Sequence, residues 1–347
     1  MHFSSDNASG VAPEIMEALA RANEGPAWAY GRDEITRRLN RLFSDLFEHE
    51  VMVFPVSTGT AANALILAAL TPPWGAVFCE RNAHINVDEN GAPEFYSGGA
   101  KLVPVDGEHG RIGRQALEMA IDAMPGGDVH HVVPHVLSLT QATEAGTVYG
   151  VDDVTALSGL AHEKGLKGHM DGARFANAVA HLGCSPADIT WKAGIDALSF
   201  GATKNGAMAA EAAIFFDPAL AAGFEERRMR GGHLLSKMRF LSAQLEAYVA
   251  DDLWLRLARH ANRMATLLAD AVTETPGADL LHPVDGDEVF VRFGDVTVIR
   301  RLADSGAAFV PWAPREGIIR LVASFQTTED EVRQFRAALQ QAVSVAG

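Results

Sequence analysis

Between residues 51 and 216 short apolar runs alternate with stretches whose apolar positions recur every three or four residues. VMVFP, GAVFCE, KLVPV, HVVPHVLSL, KGHMD, DALSF and EAAIFF read as strands, and TAANALILAAL, RQALEMAIDAM, VDDVTALSGLAHEKG and ARFANAVAHLG read as helices. Strands that are apolar throughout, without polar alternation, are buried on both faces. That predicts an α/β domain with a mainly parallel sheet sandwiched by helices. After Pro218 the pattern turns helical from RRMRGG through MATLLADAV, a long passage predicted to link two domains. The turn signal ETPGAD then opens a smaller α/β unit with strand-like EVFVRF and IIRLVAS and a closing helix that starts at TTEDEV. The predicted division is an N-terminal segment over 1–15, a large domain over 16–245 and a small domain over 246–347.

With 347 residues, 48% apolar and 21% charged, the chain can bury a full core. Its net charge of −15 disfavours nucleic acid and anionic lipid as partners, because either would be repelled. A small molecule is the expected partner. No apolar run reaches membrane-spanning length, and MHFSSDNASG lacks a basic stretch followed by an apolar one, so a cytoplasmic protein is expected. Cys79 and Cys184 sit apart in apolar settings without metal-ligand or disulfide spacing. They read as free thiols, and no metal site is expected.

Open α/β sheets bind ligands at the carboxyl ends of their strands, so polar residues just past strands carry the chemistry. STGTAANALIL (57–67) is a hydroxyl-rich turn entering a helix, suited to a phosphate but also to plain capping. NAHINVDENGAPEF (82–95), if helical, brings His84, Asp88 and Glu89 near one another. HMDGAR (169–174) sets Asp171 and Arg174 three apart with small residues between. Lys204 stands alone in a run of small residues after an apolar strand. Each alone has an ordinary structural explanation. Together they meet the demands of pyridoxal 5′-phosphate: a helix N-terminus for the phosphate, a lysine for the aldehyde, a carboxylate for the pyridine nitrogen and a flat imidazole for the ring face.

Along most of its length the sequence resembles the low-specificity L-threonine aldolases, which have the aspartate-aminotransferase fold (fold type I of the pyridoxal phosphate enzymes). The resemblance rests on SDNASG (5–10), YGRD (30–33), STGTAAN (57–63), HINVDENGAPEFYSG (84–98), SLTQATEAGTVY (138–149), HMDGARFANA (169–178), FGATKNG (200–206) and SKMRFLSAQ (236–244). It implies cleavage of L-threonine or L-allo-threonine to glycine and acetaldehyde, with a Schiff base on Lys204 and a quinonoid glycine intermediate. It further implies that Asp171 pairs with the pyridinium, that Arg174 reaches the cofactor's phenolic oxygen or the substrate carboxylate, and that Ser57, Thr58, Gly59 and Thr60 cradle the phosphate. His84 would stack on the ring, Asp88 would help seat the β-hydroxyl, and Gln141 would lie at the ring edge. Ser5 and Arg320, with Arg315 as a weaker candidate, would clamp the substrate carboxylate.

The family's SKG is ATKNG here, so Thr203 replaces a serine beside the lysine. Lys237 or Arg239 stands where an arginine reaching a neighbouring subunit's phosphate is usual. The resemblance implies a homotetramer with shared sites and Tyr30 as a cross-subunit contributor. The competing readings are another enzyme of the same fold, a β-eliminating lyase or an aminotransferase, and a non-catalytic scaffold, which would have lost a site residue.

Overall fold

The chain is described by a computed structural model over residues 1–124 and 128–344. The strands in chain order are β1 (Met52–Val56), β2 (Gly75–Glu80), β3 (Lys101–Val105), the short ribbon β4 (Gly107–Glu108) and β5 (Arg111–Ile112), β6 (Val133–Thr140), β7 (Lys167–Gly172), β8 (Ala197–Gly201) and β9 (Glu211–Phe215). They are followed by β10 (Ala278–Leu280), β11 (Glu288–Phe293), β12 (Val310–Ala313) and β13 (Ile318–Val322). Seven of them form one sheet in the order β1-β9-β8-β7-β6-β2-β3. Every residue of β2, β8 and β9 is buried, as their unbroken apolar runs require.

β8, β7, β6, β2 and β3 run parallel, and β9 runs antiparallel to both of its neighbours. The cause is chain length. A parallel crossover takes roughly a dozen residues or more, and 202–210 are too few.

The expected long helical passage is three helices, Phe224–Arg230, Arg239–Val249 and Leu253–Thr273. The first break falls at Gly231–Gly232, with Gly232 at φ +79°, and the second at Asp251 and Asp252, both left-handed. The third helix joins two cores. Its Trp254 and Ala258 pack into the core under the large sheet, while Met264, Leu268 and Val272 pack into a second core under the antiparallel sheet β10-β11-β13-β12. Phe3 is buried in that second core, and the Val322 N–H donates to the Phe3 carbonyl at 2.8 Å. The N-terminal segment is thereby held against the small sheet.

Because β6, β7 and β8 are parallel neighbours, their carboxyl ends lie on one edge. Thr140 sits opposite Asp171, and Asp171 opposite Ser199. The turns after β7 and β8 come so close that a Cβ on Gly172 would lie 2.7 Å from the Ser199 carbonyl oxygen, and one on Gly201 2.5 Å from that of Ala173. Glycine at both positions is what lets the turns bearing Asp171 and Lys204 share one cavity.

Candidate active site

A cavity of about 240 Å³ opens at this sheet edge. One wall is the start of the helix Gly59–Leu70. Thr58 caps it by accepting the Ala61 N–H at 3.1 Å, and the N–H groups of Gly59 and Thr60 have no intrahelical acceptor. Ser57, Thr58, Gly59 and Thr60 all line the cavity, and no atom lies within 4 Å of a Cβ placed on Gly59. The first turn of the helix therefore presents open backbone donors, an arrangement that favours an anion.

Asp171 is buried at the end of β7. Its Oδ1 accepts the Ala173 N–H at 3.1 Å, and its Oδ2 accepts from Asn63 Nδ2 at 2.9 Å. The same Asn63 nitrogen donates to Glu89 Oε1 at 2.8 Å, and that oxygen lies 2.8 Å from His84 Nδ1. His84, Glu89, Asn63 and Asp171 thus form one polar chain along the cavity wall. The bond to Glu89 outweighs partial burial and raises the His84 pKa, while burial raises that of Glu89. Beneath Asp171, His169 is fully buried between the hydroxyls of Ser138 and Ser199, and desolvation depresses its pKa to about 4. It is a neutral supporting layer.

Lys204 lines the opposite side, in the turn after β8, and forms no ion pair among the described residues. Beside it Thr203 Oγ1 accepts the Ala210 N–H at 3.2 Å, and Asn205 is locked by donating to the Tyr248 hydroxyl and the Trp254 carbonyl. Threonine and asparagine in ATKNG therefore brace the turn that carries the lysine. Glu211, at the start of β9, lines the same cavity, accepts the Ala202 N–H at 3.1 Å, and has its pKa pushed up to about 7 by burial.

Several expected residues stand elsewhere. The helix that starts at His84 ends after one turn at Val87, so Asp88 caps it and stays exposed, while the left-handed Asn90 and Gly91 swing Glu89 beneath the imidazole. The carboxylate that holds His84 is Glu89, not Asp88. Gln141 is fully buried, but its amide exchanges hydrogen bonds with the Tyr149 backbone, away from the cavity. Ser5 caps the short helical turn Asp6–Ala8, and the N-terminal residue lining the cavity is Asn7. Arg315 is exposed in the turn before β13. Arg174 is buried in ion pairs with Asp6, Asp287 and Glu288, and Arg320 pairs with Glu288. Tyr30 is half exposed and left-handed, Lys237 is exposed, and Arg239 donates to the Gly25 carbonyl at 2.9 Å. Within one chain none of these three lines the cavity.

The family model described as beta-eliminating lyase matches residues 2–295. The chain belongs to the beta-eliminating lyase family. It is 46% identical over 332 residues to a low specificity L-threonine aldolase of Pseudomonas aeruginosa, covering 96% of this chain and 95% of the relative. A solved threonine aldolase structure from Leishmania major is 29% identical, with a TM-score of 0.91 over 99% of both chains. The Escherichia coli YbdL structure, at 15% identity and a TM-score of 0.74 over 96% of this chain and 91% of its own, shares the fold. That fold is type I of the pyridoxal phosphate enzymes. The family's cofactor is pyridoxal 5′-phosphate, and the cavity suits it, with open amide donors at the helix start, an inward carboxylate at Asp171 and an amine at Lys204 that forms no ion pair among the described residues. The buried Asn63 Oδ1 and Glu89 Oε2 also lack hydrogen-bond partners, leaving acceptors available at this wall.

Proposed function

We propose that this chain cleaves the Cα–Cβ bond of L-threonine, L-allo-threonine and related β-hydroxy-α-amino acids, releasing glycine and an aldehyde, acetaldehyde in the case of threonine. The observation that carries the reading is the convergence of Asp171, Lys204 and the Gly59 helix start on one cavity, in a chain so similar to a low specificity L-threonine aldolase. When bound, the cofactor supplies an aldehyde that condenses with amines and a ring that withdraws electrons from the bonds at Cα.

The protein's own residues do the rest. Ser57, Thr58, Gly59 and Thr60 would hold the phosphate, Asp171 would keep a proton on the ring nitrogen, and Lys204 would carry the aldehyde, with Thr203 bracing its turn. His84, on the cavity wall, would cover the ring. With its Nδ1–H donated to Glu89, its Nε2 is free to accept the β-hydroxyl proton, whose departure drives the Cα–Cβ cleavage. A proton returned to Cα completes glycine. Arg320 is the group proposed to hold the substrate carboxylate, and Arg174 supports it from the buried side.

A panel of amino acids assayed in parallel for glycine plus aldehyde, for pyruvate and for keto acids tests the activity. Glycine and acetaldehyde in equal amounts from threonine are expected. Pyruvate from serine or a keto acid as the main product would replace this reading with β-elimination or transamination. Lys204→Ala should lose the yellow absorbance and turnover while keeping its helical signal, because the side chain adds little to the core.

We extend the reading to a homotetramer with shared sites, supported by the exposed Trp28 and by Tyr30, whose N–H is tied to the Ser236 carbonyl. Light scattering checks it. A cytoplasmic location accords with the free thiols of Cys79 and Cys184. The proposed division into a large and a small domain, 16–245 and 246–347 after the segment 1–15, is supported by the separate clusters under the large and small sheets, with the start of the third helix, Leu253 to Ala258, packing on the large-sheet side and Phe3 on the small-sheet side.

A further inference from the structure

Where the N-terminal segment, the turn after β7 and the small sheet meet, the buried charges do not balance. Arg174 donates from Nε to Asp6 Oδ2 at 2.8 Å, lies 3.5 Å from Asp287 Oδ1, and places Nη1 3.3 Å from Glu288 Oε2. Arg320 Nη1 donates to Glu288 Oε1 at 3.3 Å. Asp6, Asp287 and Glu288 are each at most 3% exposed, so three carboxyls face two guanidiniums with little help from solvent. Glu144, in the loop after β6, adds a further negative field at Glu288. Glu288 Oε2 and Asp287 Oδ1 accept no hydrogen bond, and the buried Nε of Arg320 donates none. The cluster adjoins the cavity, since Asp6 precedes the cavity-lining Asn7 and feels the charge of Lys204.

Such a cluster cannot ionise fully in a low-dielectric setting. Burial pushes Asp6 up, but Arg174 and Lys204 overcome it and hold its pKa below the ordinary value. Burial prevails at Asp287 and Glu288, whose pKa values lie above the ordinary range. A substrate carboxylate arriving at Arg320 would be a fourth acid in the same space, and the guanidinium it needs is already paired. Arg174 is sealed, with its side chain 5% exposed, whereas that of Arg320 is 16% exposed and lies 5.1 Å from the Trp312 ring centre.

We propose that Glu288 is the resident occupant of Arg320, displaced by the incoming amino-acid carboxylate and then carrying a proton. This rests on the reading of Arg320 as the carboxylate-binding group. In the exchange the Arg320–Glu288 pair breaks, the Arg320–substrate pair forms, and one proton passes from solvent to the Glu288 carboxyl. The total buried charge is unchanged. Once Arg320 turns to the substrate, the negative charges of Asp6, Asp287 and Glu144 favour a proton on Glu288, and Arg174 alone opposes it. The Glu288 backbone packs closely on Gly146, where an added Cβ would lie 2.9 Å from the Glu288 carbonyl oxygen, so the exchange is one of side chains. Glu288 is therefore a positioning residue that makes amino-acid binding depend on pH.

The test uses the holoenzyme and 3-hydroxybutyrate, the threonine skeleton without its amine, so that the ligand contributes no amine proton, with the cofactor absorbance followed in parallel to count any proton taken up at the Lys204 nitrogen. Calorimetry in two buffers of different protonation enthalpy should show uptake of about one proton on binding, with affinity falling by up to about tenfold per pH unit on the alkaline side. Glu288→Gln should bind without proton uptake and roughly threefold or more tighter at pH 8. Its KM for threonine should fall and flatten with pH, the effect appearing in KM rather than kcat. Arg320→Gln should raise that KM by about tenfold or more. Proton-neutral binding to the wild type, or a raised KM in Glu288→Gln that folds with normal cofactor absorbance, overturns the proposal. An unchanged KM in Arg320→Gln would instead remove the carboxylate-binding reading on which it rests.

Discussion

At the scale of single residues, the positions that could be anticipated are those where a polar side chain interrupts an apolar pattern just past a strand. Asp171, Lys204 and His84 announce themselves in that way. Asn63 and Glu211 could have been found by the same signal, a polar residue inside TAANALILAAL and one opening EAAIFF, because a buried polar group needs a partner. Asp88 and Glu89 could not be told apart, since helical spacing favours Asp88 and the left-handed Asn90 and Gly91 that reverse the choice are invisible to periodicity. The distinction has a kinetic consequence. Glu89→Gln replaces the charged acceptor that raises the His84 pKa with a neutral amide, so the acid limb of kcat/KM should move to lower pH and turnover should fall by roughly ten- to a thousand-fold. Asp88→Ala should stay within about twofold of the wild type on this scale. Profiles of kcat/KM against pH for both variants decide the matter, and a larger loss in Asp88→Ala would reverse the assignment.

At the scale of elements, the inner strands of the large sheet were readable because burial on both faces leaves apolar runs, while the edge strand β3, with Lys101 and Pro104 exposed, was readable from its short β-branched run alone. Hydrophobicity carries no strand direction. The reversal of β9 follows instead from the short 202–210 connection, and the division of the helical passage follows from Gly231–Gly232 and from two left-handed aspartates, of which only the glycines leave a sequence signal. Contact between neighbouring turns is equally hidden, because it depends on which strands become neighbours. Gly201 looks like an ordinary small residue in FGATKNG, yet a Cβ there would strike the Ala173 carbonyl at 2.5 Å and meet backbone rather than a flexible side chain. Gly201→Ala should therefore cost about 1–3 kcal/mol in urea unfolding and also weaken cofactor retention, since it parts the turns bearing Asp171 and Lys204. A variant as stable as the wild type with full absorbance would show that the two turns tolerate separation.

At the scale of the whole molecule, three parts of the chain distant in sequence meet at Arg174: Asp6 from the N-terminal segment, Arg174 from the turn after β7, and Asp287 and Glu288 from the start of β11. The family resemblance implied that Arg174 faces cofactor or substrate, whereas HMDGAR itself shows only its distance from Asp171 and not the carboxyls that surround it. Its position makes it the charge that permits the two sheet units and the N-terminus to close on one another. Removing one partner of a buried ion network leaves the others uncompensated, typically at about 3–5 kcal/mol, so Arg174→Ala should lose about that much stability in the apoprotein at pH 8. The pH dependence follows from the directions of the shifts. In the wild type the Asp6 pKa is lowered, so its contribution is present above the ordinary carboxyl range and lost as pH falls through the folded value. Asp287 and Glu288 have raised pKa values, so their cost grows as pH rises above that range. Without Arg174 the Asp6 contribution disappears and the cost of the other two increases. The difference between variant and wild type should therefore be largest at pH 8 and shrink towards pH 5, where the buried carboxyls take up protons. Urea unfolding of both proteins at the two pH values measures it, and an equal loss at both would show that Arg174 contributes by packing rather than by charge.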